Sequence, residues 1–460
     1  MNKIYTILII CSLFGCTKKL DLKPDSTLVV PKTVEDFENL LDNSTIMNAS
    51  PGLAQMSADE YYIPTLANFQ SLGNPITRST YIWQKDIFEG QNKISDWTIP
   101  YAQIFYANSV IDELDRQGIS DDIEKQRVKG WGLFVRAYAF YTLASIYSKA
   151  YDAGSASTDA GIPLKLTSGI TQLVNRSSVQ ETYNQIIADA IAAGELLQRD
   201  IVTNKRNRPS KVAAYGLLAR VYLSMRKYVE AEEYADKAMA IYSNLTDYNT
   251  LIIKTSTSFT YNSEEVLYFS NMRITTYSQT TYSSGALYGI DPVLIGTYGP
   301  NDLRKNVWFR QNANGNWTSK GINSAVTFPF TGLATDEVYL IKAECLARRN
   351  QTLESMDYLN QLLKKRWNPN ATGTNIPYPN IVASSPSDAL DRVLLERRKE
   401  LIWRSIRWTD LKRLNLEGRN ITLTRNIGGN IYSLEPNSAR YVLPIPDDEI
   451  ALSGIEQNVR

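Results

Sequence analysis

The chain contains no histidine. That removes the commonest general base and the commonest metal ligand. A Ser-His-Asp or Cys-His nucleophilic site and a histidine-containing zinc site are therefore excluded. Carboxylate chemistry remains open: a glycosidase would need two acids about 5–10 Å apart in a cleft. Among the 48 Asp and Glu residues no pair is singled out by its spacing. Of the three cysteines, Cys345 lies in the apolar-rich stretch Tyr339–Ala347 and reads as a small buried hydrophobe. Cys11 and Cys16 lie in or at the end of an apolar leader. The sequence thus assigns no catalytic residue, no metal ligand and no cofactor, and it reads as a binding protein rather than an enzyme.

A second chemistry is carried by rings. The chain has 28 Tyr and 8 Trp against 12 Phe. Tyr and Trp combine an apolar face with a polar edge, which suits surfaces that are half stacked and half wet. Sugar rings offer apolar C–H faces and a rim of hydroxyls, so aromatic stacking with Asn, Gln, Asp and Arg at the rim is the matching arrangement. Two stretches supply both types, Ser50–Ser95 and Asn244–Leu333, the latter holding Tyr261, Tyr268, Tyr277 and Tyr282 among others. From them the candidate ligand-binding residues are Tyr81, Trp83, Tyr288, Tyr298, Trp308 and Trp317. For each, core packing is the competing assignment.

The N-terminus positions the one cysteine placed for modification. Lys3 precedes the apolar run Ile4–Phe14, long enough for a signal-peptide core and too short to span a bilayer. Leu13-Phe14-Gly15-Cys16 resembles the bacterial lipobox. That resemblance implies removal of residues 1–15 and diacylglyceryl transfer to the Cys16 thiol, which anchors the chain to a membrane by lipid. Residues 16–31 read as a polar, lipidated tether, and the fifteen residues after Cys16 reach roughly 50 Å at most. A formal charge of +1 gives no electrostatic reason to expect a nucleic-acid partner.

The remainder shows helical periodicity broken by loops. Trp97–Arg116, Asp122–Tyr151 and Ser178–Gln198 are predicted helices, the last opened by Ser178 with Glu181 three positions on, a capping-box pattern. Pro209–Ser224 and Tyr228–Tyr242 form a predicted hairpin whose Tyr215, Leu218, Ala219, Tyr222, Ala231, Ala235 and Ala238 fall at tetratricopeptide spacing. Asp336–Arg349 with Leu353–Arg366 forms a weaker second unit. The two aromatic-rich stretches lack the helical period and are predicted to be long loops with short strands. Leu390–Leu414 is predicted as one helix with Leu390, Leu394, Leu401, Trp408 and Leu411 buried. Its charges are expected to be paired or solvated, with Glu400 and Arg404 four apart.

The sequence resembles the SusD/RagB family of Bacteroidetes outer-membrane lipoproteins, with matches in order from the lipobox to the last residues. The resemblance rests on Glu396-Arg397-Arg398-Lys399-Glu400-Leu401, on Arg407-Trp408-Thr409-Asp410-Leu411-Lys412-Arg413, and on Leu443-Pro444-Ile445-Pro446-Asp447-Asp448-Glu449-Ile450 with Gln457-Asn458. Upstream, Arg136-Ala137-Tyr138, Arg208-Pro209-Ser210-Lys211 and Ala343-Glu344 fit as well. Arg404-Ser405-Ile406 departs from it, since the family often has an acidic residue, Gly and His there; the expected effect is on helix packing and not on ligand choice. The resemblance implies a mainly α fold, a tetratricopeptide-like scaffold of helical pairs with a loop-rich, irregular ligand-binding region. It makes residues 32–460 one unit. Helices fall at about 97–243 and 334–415, ligand-face segments at about 50–95 and 244–333, and a C-terminal segment at 416–460. It further implies an outer-membrane location facing the cell exterior and a SusC-like TonB-dependent transporter as partner. The ligand it implies is an oligosaccharide, or a peptide in the RagB branch.

Overall fold

Some helix starts follow from local side-chain capping. The computed structural model describes residues 31–253, 259–260, 262–272, 287–320 and 328–460, so Cys16, the leader, and Tyr261, Tyr277 and Tyr282 lie outside the described residues. Ten longer helices are α1 (Val34–Leu41), α2 (Ser95–Gln117), α3 (Ile123–Tyr147), α4 (Val179–Leu196), α5 (Lys211–Ser224), α6 (Tyr228–Met239), α7 (Thr335–Arg348), α8 (Thr352–Lys364), α9 (Pro386–Glu400) and α10 (Arg407–Leu416). The capping box between Ser178 and Glu181 forms and opens α4. Asp122 opens α3 by accepting the N–H groups of Glu124 and Lys125.

The two predicted repeat units share one geometry. The α5–α6 turn places Arg226 at φ +62°, and the α7–α8 turn places Asn350 at φ +67°. The residues that then start the second helix, Lys227 and Gln351, sit at φ −89° with ψ 77° and 69°. Ala231, Ala235 and Ala238 are fully buried, so α6 approaches its neighbours closely, and Tyr222 stacks on Tyr234 with ring centroids 5.6 Å apart. From α2 to α9 each helix packs on the next, and α6 packs on α7 although residues 240–334 separate them in the chain. Cys345, inside α7, is buried, and burial raises its thiol pKa. No helix among the described residues is long and apolar enough to cross a membrane.

The loop-rich segments are excursions from this stack. The first is more helical than its sequence predicts, with short helices at Leu53–Ser57, Leu66–Gln70 and Pro75–Tyr81, the last started by Asn74 and Pro75. Two-stranded ladders join distant parts. β1 (Tyr61–Tyr62) pairs antiparallel with β5 (Gly289–Ile290), and β4 (Val266–Tyr268) with β8 (Leu333–Ala334). β2 (Ala160–Pro163) pairs with β3 (Arg176–Ser178), β6 (Phe309–Gln311) with β7 (Trp317–Ser319), and β9 (Leu423–Ile427) with β10 (Asn430–Leu434). Ala49, Asn271 and Phe330 add single bridges. The two predicted ligand-face segments are thus hydrogen-bonded to each other.

The single helix predicted over Leu390–Leu414 is instead two helices. It breaks between Glu400 and Arg407, where Trp403 and Ser405 both take left-handed φ of 61°. The freed N–H groups are taken up by distant side chains: Trp403 N–H donates to Glu60 Oε2 (3.1 Å) and Ser405 N–H to Gln55 Oε1 (3.1 Å). The charges are paired, as expected, but they are buried rather than solvated. Arg304 meets Asp302, Glu396 and Glu400 at 2.7–2.8 Å. Arg366 meets Glu265 and Glu400, and Arg413 meets Glu344 and Asp410. Arg404 pairs with Asp336 rather than with Glu400 four residues back.

Candidate functional site

Five of the six aromatic residues expected to face a ligand are interior. Tyr81, Trp83, Tyr288, Tyr298 and Trp308 are each at most 3% exposed. Their rings surround buried cations. The Arg425 guanidinium carbon lies 5.2 Å from the Tyr61 ring centre, 4.3 Å from that of Tyr81 and 5.2 Å from that of Trp83. Arg304 lies 5.5 Å from Tyr298 and 6.0 Å from Trp308. Tyr288 packs edge-on against Trp403 at 5.6 Å. Two of the polar edges are satisfied inside: Trp83 Nε1 donates to the Ser57 carbonyl (2.9 Å), and Tyr298 Oη to that of Lys399 (2.8 Å). Rings over guanidinium groups stabilise charge that burial would otherwise make costly. These five serve an aromatic core beneath the loop-rich face, and the expectation of an exposed stacking role for them is corrected on that ground.

Trp317 stands differently. It is half-buried at the outer edge of that aromatic core, with Phe69 and Tyr432 also at the edge. The β6–β7 hairpin positions it. Residues 312–316 close the turn through Asn312 N–H to Asn316 O (2.8 Å) and Gly315 N–H to Asn312 O (2.9 Å), with Gly315 at φ +86°. A glycine suits that left-handed position. Gln311 lies opposite Trp317 in the ladder, and the Lys305 ammonium sits 4.9 Å from its ring centre.

A second platform was not predicted. Tyr61 and Tyr62 form β1, where adjacent side chains point to opposite faces. Tyr61 turns inward at 1% exposure, and Tyr62 is half-buried on the outside. The Tyr62 ring lies across β5 at Gly289, where an added Cβ would come within 2.6 Å of ring atom Cε1. Its hydroxyl donates to Asn316 Oδ1 at 2.8 Å, beside Trp317. Burial raises the Tyr62 phenol pKa, so the hydroxyl keeps its proton and its donor role at neutral pH. β5 also lies alongside β7. Tyr62 with Asn316, and Trp317 with Gln311, therefore meet at one hairpin, on its two faces, drawn from both loop-rich segments. The sequence signal was the Tyr-Tyr dipeptide followed, far along the chain, by a glycine that leaves room for one ring.

The acids near this face are occupied structurally. Asp59 is held well below the usual carboxylate range by Arg407 and Arg398 against its burial. Glu60 is pushed up to about 7 by burial and accepts from Gln55 Nε2 at 2.5 Å. No group of three or more metal-ligating side chains occurs among the described residues.

Comparison with known proteins covers nearly the whole chain. Residues 220–459 match the family model described as SusD family, and residues 18–223 match one described as starch-binding associating with outer membrane. A curated relative, SusD-like protein P2 of Formosa agariphila, is 24% identical over 77% of each chain. Solved structures share the fold. A SusD superfamily protein of Bacteroides vulgatus superposes with a TM-score of 0.73 at 21% identity, covering 93% of this chain and 99% of that one. One from Bacteroides thetaiotaomicron gives 0.71 at 20% identity, covering 93% and 100%. A SusD-like carbohydrate binding protein of Bacteroides vulgatus gives 0.66 at 19% identity, covering 92% and 97%.

Proposed function

The chain belongs to the SusD family, and from that premise we propose that it is an outer-membrane lipoprotein that captures oligosaccharide for import through a SusC-like TonB-dependent transporter. Cys16 is the proposed acylation site, and the protein faces the cell exterior. The observation that carries the ligand assignment is two half-buried rings at one hairpin, Tyr62 held on Asn316 and Trp317 opposite Gln311. Each ring accepts the apolar face of a sugar, and the amides take up hydroxyls at the rim. The hydroxyl bond to Asn316 and the ring's seat on Gly289 fix Tyr62 before any ligand arrives, which lowers the entropy lost on binding. The role is capture and release, not bond cleavage. Such a role suits sub-millimolar to micromolar affinity, about −4 to −8 kcal/mol.

Titration calorimetry with panels of oligosaccharides and peptides tests this. At least one oligosaccharide binds, and Trp317→Ala or Tyr62→Ala weakens it by roughly 1–2 kcal/mol, about 5- to 30-fold, the scale of one lost aromatic contact. Binding of peptides with no oligosaccharide bound by the intact chain would refute the assignment.

A further inference from the structure

A separate cleft lies outside both loop-rich segments. Its volume is about 590 Å³, within the range that holds a small ligand. One wall is the end of α10, where Lys412 and Leu416 stand four apart and share a helix face. The chain just after α3 supplies Lys149 and Ala150, and the chain after β10 supplies Ala439, Val442 and Val459. The apolar part of this lining is mostly aliphatic. Its charged groups are paired, with one exception. The Lys149 ammonium donates to Asp159 (2.6 Å), which also accepts from the Ser155 hydroxyl (2.6 Å). Asp152 pairs with Arg226 at 3.5 Å. Lys412 has no ion pair among the described residues. Its Nζ donates to the carbonyls of Ser145 (3.0 Å) and Ser148 (2.7 Å), at the end of α3 where helical partners run out. An ammonium carries three N–H donors, so one is left over. Ser148 is followed at once by Lys149 and Ala150, which line the cleft, so the Lys412 head group lies beside the cleft wall. Burial lowers the Lys412 pKa to about 7, with no neighbouring charge to offset it. A desolvated, unpaired lysine at the edge of an open space is stabilised as an ammonium by an anion that enters there.

We propose that this cleft is a second ligand site that takes an aliphatic monocarboxylate, its carboxylate meeting Lys412 Nζ and its chain lying along Leu416, Ala439, Val442 and Val459. Asp152 and Asp159 line the same cleft, and they disfavour a ligand with further anionic groups. The site shares no residue with the ring-bearing hairpin, so it stands or falls independently of glycan capture.

The test is titration calorimetry of the full mature chain with hexanoate, octanoate and octanol. It is run at about pH 7.5 in two buffers that differ in ionisation enthalpy. Octanoate binds about tenfold or more tighter than hexanoate, since each buried methylene is worth roughly fourfold. It also binds about tenfold or more tighter than octanol, which lacks the charge. The heat differs between the buffers, because Lys412 takes up a proton as the carboxylate arrives. Lys412→Met removes that buffer dependence and brings octanoate down to the octanol level. Ala439→Trp, at an exposed position, fills the cleft and removes binding of both with the melting temperature unchanged, which keeps the test decisive if Lys412→Met does not fold. Octanol that binds as tightly as octanoate overturns the carboxylate assignment. Absence of octanoate binding to the wild type, or binding that Ala439→Trp leaves intact, overturns the site.

Discussion

Asp96 has no exposed surface and accepts the N–H groups of Gly52 and Leu53 through one oxygen, at 2.7 and 2.9 Å. Burial outweighs those two bonds and pushes its pKa up to about 7, from an ordinary 3.8. Because the folded value lies above the unfolded one, the folded chain binds more protons between them. The group's contribution is complete below 3.8 and is lost as pH rises through about 7. Asp96→Asn keeps an acceptor oxygen for both N–H groups and removes the titration. Urea unfolding at several pH values should show the variant gaining stability on the wild type by about 2.5 kcal/mol between pH 5 and 8, since each pH unit up to about 7 is worth about 1.4 kcal/mol and the units above it add almost nothing. A constant difference across that range would show that Asp96 keeps its charge on folding. Single residues were also where the sequence was hardest to read. Trp83 and Trp317 both stand in polar, loop-like stretches, yet Trp83 closes a box around Arg425, a residue more than three hundred positions away. Ring exposure was decided by partners that local sequence does not contain. Tyr62 shows the converse, since its orientation follows from strand alternation and from a glycine in a distant segment.

The element most informative about this limit is the break between α9 and α10. Periodicity carried through Leu401–Ile406, because the sequence there contains neither Gly nor Pro to stop a helix. The stop is supplied from outside, by Glu60 and Gln55, which take the N–H groups of Trp403 and Ser405. The α5–α6 and α7–α8 hairpins were legible because their determinants are local: small residues at the contact and a short turn. Ser405 holds φ +61° with a side chain, at a position where the family resemblance puts Gly. A left-handed conformation costs a non-glycine residue about 1 kcal/mol. Ser405→Gly should therefore raise stability by roughly 0.5–1 kcal/mol, after the extra chain entropy of glycine is subtracted, and Ser405→Val should lower it by more. Thermal unfolding of the pair decides the matter; a glycine variant that melts below the wild type would mean the Ser405 side chain contributes more than its backbone strain costs.

Across the whole molecule, a helical stack and a loop-built face must hold together although residues 240–334 leave the stack after α6 and rejoin it at α7. The β4–β8 ladder closes the excursion at its base. The buried ion pairs bind it to the scaffold. Glu400, at the end of α9 and fully buried, accepts from Arg304 Nη1 (2.8 Å) in the excursion and from Arg366 Nε (2.9 Å) after α8. Arg366 in turn donates to Glu265 Oε1 (2.7 Å) and to the Thr246 carbonyl (2.9 Å), both back in the excursion. A carboxylate shared by two arginines in a dry interior is costly to lose from one side, because the remaining charges cannot regain water. Glu400→Gln keeps the shape, halves the hydrogen-bond acceptors and removes the charge. The expected loss of stability is about 3–5 kcal/mol, the range for removing one partner of a buried pair. Its distribution is the sharper test. In the wild type, far-ultraviolet dichroism of the helices and tryptophan fluorescence, to which Trp308 and Trp403 in the aromatic core contribute, should report one transition in urea. In Glu400→Gln the aromatic signal should change at lower urea than the helical one, because the loop face is then held mainly by its short ladders. Two signals that still coincide, with a loss below about 1 kcal/mol, would mean that apolar packing between the two cores, not the charge network, couples the face to the stack.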